Sequence, residues 1–390
     1  MKKTRTKHKA CSRVRTVCIT LLTVATAVGL FGCSPRSMIP GGYAGINVSS
    51  RDETVVPSST KPKEPSASSS SSLPEEPPQV PTYLDFLTGL QTTDSSFENA
   101  RPISIVIDNK DSALIQCGIS ASPLWVEAPI ESGATRIMLF YSNAKSIPTV
   151  ASVASTRSYL VKLSNAFGAV SAYAGTTDRI GEASVSFSGF DTLDYILQNL
   201  SSVFFRDTAI ASPYSLLTDG VRITNGILNC RYSATRKSEQ VLPWLFSAED
   251  QLIPSAGERA NTVDLCFSVH QSVSFRYDSE IGAYKRMQNG IPHTETQSDA
   301  QISFRNLLLL TCDSLVHEQE NGTRLDFDLE SGGNGYAVFD GVATKIVWRL
   351  DESGLLKISD QNGKLLTLPA GKTYVGLLKS SALNAIMLSE

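Results

Sequence analysis

Apolar runs and polar breaks divide the chain into segments with two different periods. The run at 103–107 is almost unbroken in β-branched residues and stops at Asp108-Asn109, whose side chains bond nearby backbone and favour turns. A second run at 137–141 follows Gly133, Thr135 and Arg136. Both predict buried strands. Asp108 and Asn109 then form either a plain turn or a site held at the rigid end of a strand. Beyond Ser142 the pattern predicts a helix starting near Ser155, a small-residue strand at 169–174 and a helix-like run at 219–228. Strands and helices in alternation predict a layered α/β-type N-terminal domain. From about Gln240 the period changes to two, as in VDLCFSVHQSVSFRY at 263–277. Further strands are expected at 307–311, 324–329, 335–339 and 344–349. They are punctuated by Asn289-Gly290, Asn321-Gly322, Asp340-Gly341 and Asn362-Gly363. The expected class is therefore α+β, with a mostly antiparallel β C-terminal domain.

The first eighty residues read differently. Seven cations between Lys2 and Arg15 precede an apolar, uncharged stretch at 17–31 that is short for a membrane span. Leu30-Phe31-Gly32-Cys33 looks like a lipobox, which makes 1–32 a lipoprotein signal peptide and Cys33 the lipid-modified (palmitate-bearing) N-terminus. An ordinary signal peptide or an uncleaved anchor is the other reading. Two acyl chains suffice for stable anchoring. Residues 33–81 are rich in Ser, Pro and Glu, as in SASSSSSLPEEPPQVP, and bury too little apolar surface to offset ordering entropy. They predict a disordered tether. Two domains are expected beyond it, at 82–235 and 236–382. Removing the seven signal cations from a formal charge of −3 leaves −10 for the mature chain. That balance argues against nucleic acid as a partner and against electrostatic attraction to anionic headgroups. The expected location is the outer face of the bacterial cytoplasmic membrane.

Motifs for metal or nucleophilic chemistry are missing. The histidines are His8, His270, His293 and His317, and no HExxH, CxxC, GxSxG or Walker pattern occurs. No metal or cofactor is expected. Ser152 has Ser155, not lysine, three residues on. Three arginines follow small or apolar runs: Arg136, Arg157 and Arg206. Converging on one cleft, they would bind a carboxylate or phosphate. Paired locally, Arg136 would meet Glu131 and Arg206 would meet Asp207. His293 follows a turn and has Glu295 two residues on, so the carboxylate could orient the imidazole along one strand face. A histidine bonded to a turn carbonyl is the structural alternative. Cys117, Cys230, Cys266 and Cys312 allow three pairings, but apolar neighbours such as Leu265 and Phe267 favour buried free thiols.

Motifs across nearly the whole folded part resemble one family. Arg101-Pro102-Ile103, Ile107-Asp108-Asn109, Gln116-Cys117-Gly118-Ile119, Glu127, Glu131-Ser132-Gly133 and Thr135-Arg136 keep its order and spacing. So do Tyr284, Arg286, Asn289-Gly290, His293, Asn306, Trp348 and Pro369-Ala370-Gly371-Lys372-Thr373. The chain resembles the YerB-type lipoproteins, defined by two domains of unknown function (DUF3048, N- and C-terminal). The resemblance implies a two-domain YerB-like protein outside the cytoplasm and implies no settled activity. Three positions depart from the family pattern. Lys110 stands where histidine is usual, Ala154 where arginine is usual, and Pro213-Tyr214-Ser215 replaces Pro-His-Asn. The sequence thus leads to a membrane-anchored envelope protein that binds a cell-wall ligand or an envelope protein without catalysis. The alternative is a transferase or hydrolase of an anionic envelope substrate, with the arginines as a charge clamp and His293 as acid–base. Candidate ligand-binding residues are Asp108, Asn109, Arg136, Arg157, Arg206 and His293.

Overall fold

Three runs in the first half are apolar on both sides, and each is a strand with every residue buried: β1 (Ile103–Asp108), β2 (Leu124–Pro129) and β3 (Thr135–Tyr141). The structure, a computed structural model, describes residues 81–110, 116–176, 187, 189–198, 200–247, 257–319, 322–381 and 386–390. The expected signal peptide, His8, Cys33 and the tether up to residue 80 fall outside the described residues. In β1, Ile103, Ile105 and Ile107 enter one core and Val106 the other. β2 sends Trp125 one way and Leu124, Val126 and Ala128 the other. Strands covered on both faces read as continuous apolar runs rather than alternating ones. Helix α1 (Ser158–Ala166) packs Tyr159, Leu160 and Leu163 into the core of Val106 and Val126. The short parallel strands β4 (Val170–Tyr173) and β5 (Thr192–Asp194) follow. Helix α2 (Gly220–Asn229) places Ile223 and Ile227 in the opposite core.

The second half opens with an antiparallel meander, β6 (Thr262–Ser268), β7 (Gln271–Asp278) and β8 (Ala283–Gln288). Its Val263, Leu265, Val273, Phe275 and Tyr284 share the core of Ile105 and Trp125, so this second sheet covers that face of the first. Asn289 and Gly290, at φ 50° and 80°, make the tight turn after β8 that their sequence predicts. Then come β9 (Asn306–Cys312), β10 (Gly333–Phe339), β11 (Val342–Leu350) and β12 (Thr373–Lys379). One sheet of eleven strands runs Glu258–Arg259, β11, β10, β9, β12, β2, β3, β1, β4, β5, with Leu356–Asp360 on β11. β12 lies parallel to β9 on one side and to β2 on the other, with Val375 opposite both Leu308 and Val126. β12 thus joins the strands of the first half to those of the second.

The expected α+β class with a layered α/β N-terminal domain does not hold, because the fold is mostly β. Among the described residues α1 and α2 are the two α-helices. Among the described residues, the other connections of the first half bond their backbone to strand ends instead of forming α-helix. Asp108 N–H donates to Ser152 O (3.0 Å), Val153 N–H to Leu216 O (2.9 Å) and Ala154 N–H to Val106 O (2.9 Å). The four cysteines of the folded part are free. Cys266 is exposed, contrary to its apolar neighbourhood, because the period of two turns Leu265 inward and Cys266 outward. Among the described residues no helix is long and apolar enough to cross a membrane.

Candidate functional site

A cleft of about 340 Å³ opens where β1 ends. Asp108, the last residue of β1, faces Arg136 directly across the antiparallel pair with β3, and their side chains form an ion pair at 3.1 Å. Asp108 Oδ1 also accepts from the Lys110 N–H at 3.1 Å, so both carboxylate oxygens are engaged. The floor is the segment 152–155, threaded by the backbone bonds just described. Ser152 there is buried with φ 61°, an uncommon conformation for a residue with a Cβ. Arg136 Nε donates to Ser155 O at 3.1 Å. Tyr195, Ile196, Arg206 and Tyr214 make the walls. Arg206 is exposed, donates to Ser215 Oγ at 3.0 Å and stands 5.7 Å from the Tyr195 ring centre. Burial lowers the pKa of Arg136; Asp108 opposes that shift and the nearby Arg157 charge adds to it. An arginine stays protonated in any protein environment. The lining therefore holds three cations, Lys110, Arg136 and Arg206, against one carboxylate.

Behind this cleft lies a buried polar network. Asn109, one residue past Asp108, turns inward and donates to Glu127 Oε1 at 2.9 Å. Thr135 Oγ1 donates to the same oxygen at 2.7 Å, and Tyr374 Oη donates to Oε2 at 2.8 Å. Arg286 Nη2 meets Oε2 at 2.7 Å, and both members of that ion pair are 0% exposed. A buried pair of this kind persists only when its remaining hydrogen-bonding capacity is met, and here each Glu127 oxygen has two partners. Arg286 also bonds Gln288 Oε1 at 3.0 Å and meets His293 Nδ1. A guanidinium only donates, so Nδ1 accepts and the ring proton sits on Nε2, which donates to Gln116 Oε1 at 2.6 Å. Burial, followed by the Arg286 charge, holds the His293 pKa well below the ordinary imidazole value.

The six residues singled out from the sequence therefore divide. Asp108, Arg136 and Arg206 line the cleft, while Asn109 and His293 belong to the network. Arg157 braces the floor, donating to Glu131 through Nε (2.9 Å) and to Thr156 O through Nη1 (2.7 Å). The local pairings expected for the arginines fail. Glu131 is taken by Arg157, so Arg136 pairs with Asp108, and Arg206 bonds Ser215 rather than Asp207. Glu295 does not orient His293, because it caps the backbone N–H groups of Gly118 (3.0 Å) and Ser120 (2.9 Å). Sequence reasoning passed over Glu127, Arg286 and Tyr374 as a unit. One signal was present: a carboxylate inside the otherwise apolar LWVEAP of β2 needs a buried partner.

Residues 87–233 match the family model described as the N-terminal domain of a protein of unknown function, DUF3048, and residues 263–375 match its C-terminal domain. The chain belongs to the DUF3048 family. It is similar to YerB of Bacillus subtilis (strain 168), named as a lipoprotein, with 27% identity over 296 residues, 75% of this chain and 85% of the relative. The crystal structure of B. subtilis YerB matches at a TM-score of 0.68 and 24% identity, covering 79% of this chain and all of that one, a likeness of fold.

The DUF3048 resemblance maps onto the two polar regions unequally. Gln116, Glu127, Arg286 and His293, which follow the family pattern, build the buried network. Lys110, Ala154 and Tyr214, which depart from it, line the cleft. The network is thus built from residues that follow the pattern, whereas the cleft combines two that follow it, Asp108 and Arg136, with three that do not.

Proposed function

We propose that this DUF3048 protein is a lipid-anchored extracytoplasmic binding protein whose cleft at the end of β1 takes an anionic cell-wall ligand. The supporting observation is the excess of cations in that cleft: Lys110, Arg136 and Arg206 against Asp108. Such a concentration of positive charge is notable on a chain that carries −10 without its signal residues. Low-dielectric walls focus a local field even when the net charge has the opposite sign. Binding is favoured over catalysis because the one carboxylate of the lining is already paired, and the histidine nearest in the chain of contacts, His293, is held neutral between Arg286 and Gln116. A general base needs access to its substrate's proton. The anchor reading rests on the Cys33 motif and on the name of the similar B. subtilis lipoprotein.

A photoreactive residue in place of Tyr214, activated on intact cells, should capture an anionic envelope component, and adding Arg206→Ala should abolish the capture. Capture that survives Arg206→Ala refutes the cleft reading. Cys33→Ala should release the protein from the membrane fraction, and its full retention there refutes the anchor.

A further inference from the structure

We infer that the cleft's ligand is a phosphomonoester carried on a sugar-sized polyhydroxylated body. The inference rests on the anion-binding reading above and specifies its chemistry. Two observations carry it. The first is charge. Three cations and one paired carboxylate leave an excess of two positive charges. A carboxylate or a phosphodiester brings one negative charge, whereas a phosphomonoester brings nearly two at neutral pH, with a second pKa of about 6. The planar Arg206 group matches phosphate oxygens in pairs, Arg136 adds its charge from beside Asp108, and Lys110 adds a mobile point charge.

The second observation is the shape and chemistry of the rest of the space. Inorganic phosphate alone would leave most of about 340 Å³ unfilled. Beside Ser152 and Ser155, the remaining lining includes Val153, Ile196, Leu216 and two tyrosines, Tyr195 and Tyr214. Tyr195 is braced from behind by Phe204, whose ring centre is 5.7 Å away at 71°. Aromatic faces with a polar tip pack against the C–H face of a sugar ring and leave its hydroxyls to water or to a phenolic oxygen. Sites of this size bind single small units. The opening of the cleft lets such a unit be the phosphorylated end of a longer chain.

Calorimetric titration of the mature protein with glucose 1-phosphate, glucuronate, inorganic phosphate and glucose tests this. Glucose 1-phosphate should bind at least tenfold more tightly than glucuronate and than inorganic phosphate, and glucose should not bind. Its affinity should fall several-fold from pH 7.5 to 5, as the ester takes up its second proton, while any glucuronate binding stays level. Arg206→Ala should weaken both phosphates, and Tyr214→Ala should remove only the advantage of glucose 1-phosphate over inorganic phosphate. If glucuronate binds as tightly as the sugar phosphate, or inorganic phosphate matches it, the inference about class fails and the anion site stands. If no anion binds, the anion-binding reading fails as well.

Discussion

His293 shows how burial fixes the state of a titratable group. Its folded pKa is depressed, so the folded protein binds fewer protons than the unfolded chain below the unfolded value near 6.5. Stability therefore falls as the pH falls through that value, by about 1.4 kcal/mol per pH unit until the folded pKa is reached. Urea unfolding at pH 7 and at pH 5.5 should differ by roughly 1 kcal/mol, and His293→Gln should flatten that difference. An unchanged pH dependence in the variant would place the titration elsewhere. At this scale the sequence was partly legible. His293 and Arg136 stood out, because a charged or titratable residue beside a buried run is informative. Their partners did not, since Asp108 lies 28 positions before Arg136 and Gln116 lies 177 before His293. Neighbours such as Glu131 and Glu295 were nearer in sequence but were claimed by Arg157 and by the backbone around Gly118.

Elements position the cleft through their ends. Asp194, the last residue of β5, is buried, and its Oδ1 accepts from the N–H groups of Gly175 (3.0 Å), Ile196 (2.8 Å) and Leu197 (3.3 Å). It thereby holds the turn that carries Tyr195 and Ile196 into the cleft wall. Asp194→Ala leaves those donors without their acceptor and should cost on the order of 1–3 kcal/mol. It should also weaken phosphate binding, though Asp194 is not on the lining. A variant that melts and binds like wild type would show that the turn holds without it. Strands and tight turns of the second half were legible, because a period of two and Asn-Gly or Asp-Gly turns are local signals; Asp340-Gly341 joins β10 to β11 as expected. The first half reads as layered α/β in the sequence, because a fully buried strand lacks alternation and its irregular connections leave no periodic trace.

Over the whole molecule the chain closes on itself. β12 sits between β9 and β2, and Arg286 and Tyr374 reach back to Glu127, 159 and 247 positions earlier. Separating the halves would expose the edge of β2 and strip Glu127 of Arg286 and Tyr374. Separately expressed fragments 82–235 and 236–390 should each lack a cooperative unfolding transition, while the intact protein shows one. A fragment with its own sharp transition would show that the shared sheet is dispensable. No sequence pattern announces such a parallel junction, since Leu124 of β2 and Thr373 of β12 pair across 249 positions and every strand of it reads simply as apolar. The network is thus the frame and the cleft is the site. This division is tested most directly by following the arginine Nε–Hε signals by NMR while inorganic phosphate is added to the mature protein. The signals of Arg136 and Arg206 should shift in proportion to occupancy while that of Arg286 stays fixed. Signals that all stay fixed, or a shift confined to Arg286, would contradict it.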